Sequence, residues 1–282
     1  MKKIEAMHSI AVIALAAIFL TAGLLVSCGD SPGGGDIYYT VTFATPNATP
    51  PAKVTVLAGS KITQPRTPDK NSDGYNAKLT KWNTNIAVAW DFDNDSVYED
   101  MTLTAVWAPY TAGEKGPAGG TIVRASSTKF SRGFYYNPSR QPEKDCYYLE
   151  CAPLPLSYSQ IKWASNGKEN TDIPNTYEDI GLGMRGTWEI LTKDPNAPAA
   201  KYCADYSSGG RYDWFLPSPD ELLCVRNHID IAAFYGYLTV GYWTSYQPTF
   251  EPTLATWIEM KSGAINTQLK SLTASVLPMR AF

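Results

Sequence analysis

Apolar and polar residues alternate through the stretch between residues 37 and 107. Apolar side chains occupy every second position at both ends of it: Tyr39, Val41 and Phe43 at the start, and Leu103, Ala105 and Trp107 at the end. Successive side chains of a strand point to opposite faces of the sheet, so this period predicts short strands with one buried face. Pro and Gly turns separate the runs. We expect a small, mainly β module over residues 37–108.

A stretch rich in Gly and Pro follows this module and marks a boundary. Residues 108–120 contain Pro109, Gly113, Gly116 and Pro117 and few apolar side chains to bury. We therefore place a second domain at residues 109–282, separately folded from the first. The whole chain is expected to be α+β and mainly β, with its clear helices confined to this second domain.

Two helices are predicted in the second domain, over residues 198–206 and 218–229. The second helix has a well-defined start: Ser218 is a good N-cap, Pro219 suits the first helical position, and Glu221 lies three residues after Ser218, as a capping box requires. Trp214, just before it, is expected in the core, and Asp213 is expected to bond a turn or the backbone.

The N-terminus has the layout of an export signal. Lys2 and Lys3 precede an apolar run over residues 10–26, and Cys28 follows directly after Leu25, Val26 and Ser27. This ending resembles the bacterial lipobox. The resemblance implies that residues 1–27 are removed as a signal peptide and that Cys28 is lipidated, with residues 28–36 as a flexible Gly-rich tether. The alternatives are an ordinary signal peptide with a chance cysteine, or a retained membrane anchor.

Charge and histidine content narrow the function of the exported form. The full chain carries a net charge of -3, and removal of residues 1–27 leaves 22 basic and 26 acidic residues, a net charge of -4. A generic nucleic-acid binder is expected to be basic, so this class is excluded. His228 is the one histidine of the exported form, which excludes a pair of histidines as zinc ligands and makes a Ser-His-Asp triad depend on it alone.

The order of motifs in residues 37–108 resembles the Listeria-Bacteroides repeat, the B-repeat of internalin-type proteins. The matching pieces are "YTVTF", "PRTPDKNSDGYNAKLTKW", "AWDFDNDSV" and "MTLTAVW". This resemblance implies a β-grasp-like module, which in bacterial surface proteins usually serves as a spacer or interaction module.

The second domain resembles the C-terminal domain of the Legionella collagen-like adhesin, a domain of unknown function of the 1566 type. The motifs are "GPAGGTIV", "GGRYDWFLPSPDELLCV", "YWTSY" and the terminal "MRAF". The resemblance implies a fold related to C-type lectins and the formylglycine-generating enzyme. Two of the three basic positions typical of the family's end are missing here. A role of Arg280 in holding sulfated sugars is therefore in doubt, and a structural ion pair is the favoured role.

Four cysteines remain after Cys28: Cys146, Cys151, Cys203 and Cys224. An even number in an exported protein allows disulfides, and three pairings are open. No two of them form a CxxC motif, so a thioredoxin-type redox site has no support. Cys203 and Cys224 fall on the predicted helices, where a buried free thiol is the common state.

An acidic run contains Asp91, Asp93, Asp95, Glu99 and Asp100 and raises the question of a calcium site. An EF-hand loop starting at Asp91 would need Gly where Ser96 stands and Glu where Thr102 stands. The favoured interpretation is a turn whose Asp and Asn side chains bond local backbone amides, with a weak metal site as the alternative. We predict no metal site, no cofactor and no catalytic residues.

Aromatic side chains supply the one candidate binding surface: Tyr242, Trp243, Tyr246 and Trp257, in the loops between Tyr237 and Ser262. Such rings could stack on a glycan, but a loop-rich domain also needs them to fill its core. The expectation is a lipoprotein of the bacterial cell surface or outer membrane that binds a neutral glycan or a host protein without catalysis. The alternatives are a structural envelope protein and an enzyme of the formylglycine-generating or hydrolase kind.

Overall fold

A computed structural model describes residues 35–46, 48–67, 77–132, 145–153, 160–228 and 241–282. The predicted signal peptide, Cys28 and most of the predicted tether lie outside these residues. The described part is α+β and mainly β, as predicted, with three short helices. None of its helices is long and apolar enough to cross a membrane.

Four strands near the start of the described chain form one mixed sheet. They are β1 (Tyr38–Ala44), β2 (Val54–Leu57), β3 (Ala77–Asn83) and β4 (Met101–Pro109). Their order is β2-β1-β4-β3, in which β1 runs parallel to β4 and the other pairs are antiparallel. The parallel pair joins the first and last strands of the module and so closes it as a unit.

One face of this sheet carries the core that the alternation predicts. Val41 and Phe43 of β1 and Leu103 and Ala105 of β4 are buried, and all four belong to one hydrophobic cluster. Trp82 of β3 lies in the middle of it, edge-on to the Phe43 ring with the ring centroids 5.2 Å apart. The outer members of the alternating sets, Tyr39 and Trp107, are only partly buried.

The remaining strands form three smaller antiparallel sheets. The first contains β5 (Thr121–Ser131), β6 (Asp145–Cys151) and β12 (Met279–Ala281), in the order β12-β6-β5. The second contains β8 (Gly241–Trp243), β9 (Leu254–Glu259) and β10 (Ala264–Leu269), in the order β10-β9-β8. The third pairs β7 (Ile161–Lys162) with β11 (Thr273–Ala274).

Both predicted helices are present, as α2 (Pro198–Asp205) and α3 (Pro219–His228). The predicted last residue of the second helix, Ile229, lies outside the described residues. The capping box is formed: the Ser218 amide donates to Glu221 Oε2 at 2.9 Å, and the Glu221 amide donates to Ser218 Oγ at 3.4 Å. Trp214 is fully buried, as predicted.

Helix α1 (Gly183–Lys193) was not predicted from the sequence. Its first turn contains two glycines, which disfavour a helix on propensity alone. Both are needed for packing. A Cβ atom at Gly183 would lie 2.0 Å from Glu221 Oε2, and one at Gly186 would lie 2.7 Å from Ser245 Oγ. Tertiary contacts therefore override local preference in this helix.

Residues Tyr38–Phe282 form one compact unit in which the chain passes directly from the first sheet into the second half. Tyr110 follows β4 at once and packs edge-on against Tyr148 and Phe282, with ring centroids 5.5 and 5.8 Å away. Lys78 of β3 forms an ion pair with Glu114. The cluster around Trp82 contains only residues before position 108. Separate folding of the two halves stays a prediction.

Candidate functional site

The aromatic residues predicted as a binding surface are mainly part of the core. Tyr242 and Trp243 are 5% and 0% exposed, and Trp243 Nε1 donates to the Ile161 carbonyl at 2.7 Å. Trp257 is partly buried against the same cluster, and a Cβ atom at Gly241 would lie 1.8 Å from its ring. Tyr246 is also partly buried. These positions favour the structural role that was weighed against glycan stacking.

Glu150 and Arg280 form a buried ion pair between β6 and β12. Arg280 Nη1 lies 3.0 Å from Glu150 Oε2, and the residues are 4% and 0% exposed. Glu150 Oε1 also accepts hydrogen bonds from the amides of Ala118 and Gly120, at 3.0 and 2.9 Å. Burial raises the pKa of Glu150, although Arg280 and these amides oppose the shift. The carboxylate thus fixes the Gly-rich loop to the end of the chain.

Asp213 completes this group from the other side of Arg280. Its two carboxylate oxygens accept from Arg280 Nε at 2.9 Å and Nη2 at 3.2 Å, and Arg132 Nη1 lies 3.2 Å from Oδ2. Burial acts to raise the pKa of Asp213, but the attraction and hydrogen bonds of Arg280, together with the attraction of Arg132, outweigh burial and lower it. We expected Asp213 to bond a turn or the backbone; its main partners are instead two guanidinium groups. Arg280 has the structural ion-pair role that was favoured for it.

A second buried charge, Lys270, was not identified from the sequence. Its Nζ atom donates to the Thr171 carbonyl at 2.8 Å and to Gln247 Oε1 at 2.7 Å, and it lies 4.6 Å from the centre of the Trp163 ring. Burial lowers the pKa of Lys270 to about 8. Gln247 Oε1 also accepts from the Ile173 amide, so the lysine fixes a loop. A single lysine between two loops gives no signal in the sequence.

The four cysteines after Cys28 lie in the second half, and their state bears on redox chemistry. Cys151, Cys203 and Cys224 are free thiols, and Cys146 is buried in β6. Burial raises the pKa of Cys151 to about 12 and that of Cys203 well above its ordinary value. A thiol reacts as its thiolate, so these two positions are unsuited to nucleophilic chemistry.

Two open grooves lie side by side on the first module and share Trp90. The larger, which we call the Trp90 groove, has a volume of about 720 Å³ and runs between residues 61–64 and residues 89–93. The smaller, the Ile86 groove, has a volume of about 440 Å³ and is lined by Ile86, Val88, Trp90 and Tyr98 among others. The side chains of Ile86 and Tyr98 are 79% and 70% exposed. Exposed apolar surface of this kind marks interaction sites in many proteins.

The acidic run forms the turn at the edge of the Trp90 groove. Asp91 Oδ1 accepts from the amides of Asp93 and Asn94, at 2.9 and 3.2 Å, and Asp95 Oδ2 accepts from the Asp91 amide at 2.8 Å. The Asn94 side-chain hydrogen bond, followed by that of the Asp93 amide, lowers the pKa of Asp91. Asp91 and Asp95 bond local amides, as the favoured interpretation predicted. The described residues contain no cluster of three potential ligands for a metal.

A comparison with known families finds a match to the module that carries both grooves. Residues 39–106 match the Listeria-Bacteroides repeat domain. The first half of the predicted resemblance is therefore confirmed. No curated protein matches the chain significantly.

Proposed function

We propose that this protein is a bacterial cell-surface lipoprotein that binds an extracellular glycan or host protein and has no catalytic activity. The match to the Listeria-Bacteroides repeat supports placement among envelope proteins. The strand order β2-β1-β4-β3 with a parallel central pair supports a β-grasp-like first module. For the second half, from residue 109 onward, we propose a C-type-lectin-like domain of the 1566 type, because three of its four motifs meet in one buried group around Arg280.

The proposed anchor is the lipid-modified Cys28, which lies outside the described residues. The lipobox-like ending of the apolar run supports it. Several acyl chains on one residue would hold the protein on the membrane almost permanently. Globomycin treatment, or Cys28→Ala, is expected to make the unprocessed precursor accumulate. Unchanged processing under both conditions would refute the anchor.

The observation that carries the binding function is the pair of grooves around Trp90. Together they offer a partly exposed indole, exposed apolar side chains and polar groups on one small module. A spacer needs no such surface, because an exposed apolar patch favours aggregation unless a ligand covers it. The module is also close to the proposed tether, so a ligand bound there would be held near the cell.

The binding function is tested with the soluble chain that starts at Gly29. It is applied to an array of neutral and sulfated glycans and to immobilised matrix proteins, and binding is measured at low and high salt. We expect a neutral glycan or a protein to bind, because a net charge of -4 repels polyanions. Tight, salt-sensitive heparin binding would contradict the charge argument. Absence of binding to both the glycan array and the matrix proteins would favour a structural envelope role instead.

A further inference from the structure

We infer that the Trp90 groove is a binding site for a neutral oligosaccharide. This inference rests on the proposed binding function and adds the place and the ligand class to it. The volume of the Trp90 groove, about 720 Å³, lies inside the range of roughly 300–1,000 Å³ that small-ligand sites occupy. The walls of the groove combine apolar and polar side chains, a fixed backbone and an excess of acidic groups, and each property favours such a ligand.

Two aromatic side chains contribute to the apolar surface of the groove. Trp90 and Phe92 both line it, and both are packed against the module's core while remaining partly exposed. Each ring is thus held in part by the core, and both rings contribute to the lining of the groove. A sugar ring has an apolar face of C–H groups, which packs well on a rigid aromatic side chain.

Polar side chains at the rim of the groove can form hydrogen bonds to a ligand. Thr63, Gln64 and Asp93 line the groove and are exposed. Their side chains make no hydrogen bond with any part of the chain that the structure describes, in contrast to Asp91 and Asp95. A hydroxyl, an amide and a carboxylate together offer donors and acceptors to the hydroxyl groups of a sugar. Ligand sites typically combine an apolar surface with a few such polar groups.

Hydrogen bonds connect the two walls of the groove and hold them in place. The Gly59 amide donates to the Val97 carbonyl at 2.7 Å, and the Val97 amide donates to the Ser60 carbonyl at 2.9 Å. Near the other end, Lys61 Nζ donates to the Asp93 carbonyl. These bonds tie residues 59–61 to the turn that carries Asp93. A site whose walls are fixed before binding loses less conformational entropy when the ligand enters.

The charged side chains that line the groove favour neutral sugars over acidic sugars. Among the residues that the structure describes, Lys61 is the one basic residue that lines the groove, against the two acidic residues Asp91 and Asp93. The Lys61 ammonium group is already bonded to the Asp93 carbonyl. Sulfated or sialylated chains would therefore meet an excess of negative charge, whereas neutral hexose chains would not.

The experiment uses the soluble chain from Gly29 and a panel of neutral hexasaccharides: maltohexaose, cellohexaose, laminarihexaose, mannohexaose and chitohexaose in its N-acetylated form. Affinity is measured by calorimetric titration against each. Asp93→Asn and Gln64→Ala are the test variants. Glu99→Gln is the matched control for Asp93→Asn, because Glu99 is an exposed carboxylate outside the groove that also becomes a neutral amide.

We expect at least one hexasaccharide to bind, and each test variant to weaken its binding about tenfold, the usual effect of losing one hydrogen bond to a charged or well-placed polar group. Glu99→Gln should bind as the unaltered chain does. Circular dichroism and thermal unfolding confirm that each variant is folded, which is expected because all three side chains are exposed.

Three other outcomes would overturn the inference. They separate failure of the proposed site from failure of the proposed binding function. Hexasaccharide binding that both test variants retain would place the glycan site elsewhere, and the binding function would stand. Binding of a matrix protein but no hexasaccharide, lost on Val88→Ser, would assign the Ile86 groove to a protein partner. Absence of binding to any hexasaccharide, glycan or matrix protein would refute both the site and the function.

Discussion

Removing the guanidinium group of Arg280 is expected to destabilise the second half of the protein strongly. Arg280→Met keeps the apolar stem of the side chain but leaves the fully buried Glu150 with only the amides of Ala118 and Gly120 as donors. Asp213 loses its two-point contact at the same time. Breaking one partner of a buried ion pair costs about 3–5 kcal/mol, because the remaining charge is uncompensated.

The assay is urea unfolding of the soluble chain at neutral pH, followed by near-ultraviolet circular dichroism of the buried tryptophans. The unfolding free energy is expected to fall by about 3–5 kcal/mol for Arg280→Met. Glu150→Gln keeps an oxygen that can accept from the Gly120 amide but removes the charge. The double variant should therefore lose less than the sum of the two single losses, by about 0.5–3 kcal/mol.

Two results would refute this reasoning. A loss below about 1 kcal/mol for Arg280→Met would mean that the pair behaves like a solvent-exposed salt bridge. Strict additivity in the double variant would mean that Glu150 and Arg280 act independently, in spite of the 3.0 Å contact between them. Arg132→Met is a useful comparison, because Arg132 Nη1 contacts Asp213, whereas Arg280 contacts both Asp213 and Glu150.

Two further predictions concern Gly120 and Glu221. Gly120→Ala should destabilise the protein by about 1–3 kcal/mol in urea unfolding, because a Cβ atom there would lie 1.9 Å from the Cys151 carbonyl oxygen; Gly35→Ala, with open space around it, should have little effect. Burial raises the pKa of Glu221 from 4.5 to about 7, so the stability it confers is full below pH 4.5 and is lost as the pH rises through 7. We expect this loss to approach about 3 kcal/mol and to disappear in Glu221→Gln, and equal pH slopes for the two proteins would contradict it.

Local signals in the sequence predicted those parts of the fold that local physics decides. The alternation at Val41 and Phe43 predicted β1 correctly, because one face of the sheet is buried and the other is not. The Ser218 capping box predicted the start of α3 correctly, because its hydrogen bonds join two residues that lie only three positions apart. Helix α1 was missed, because its stability comes from the close approach of Gly183 and Gly186 to side chains far away in the sequence.

The candidate site was harder to predict than the fold. A large aromatic residue can fill a core or face solvent, and spacing does not distinguish the two. Tyr242 and Trp243 are buried, whereas Trp90, which lies within the motif "AWDFDNDSV", is partly exposed beside a groove. The groove beside Trp90 depends on two segments about 30 residues apart, joined by the contacts of Val97 and Lys61. No pattern within either segment reveals that they meet.

The most recognisable motifs of the second half all serve its architecture. The Gly-rich loop at residues 116–120 is bound by Glu150, the motif at residues 213–222 supplies Asp213 and the helix cap, and the terminal motif supplies Arg280. Residues that hold a fold together restrict which neighbours can change, whereas residues that contact a ligand are free to differ between proteins with different ligands. A resemblance carried by these motifs therefore supports a shared fold more strongly than a shared ligand. Ligand specificity is better sought at exposed positions outside the motifs, and Gln64 of the Trp90 groove is a position of this kind.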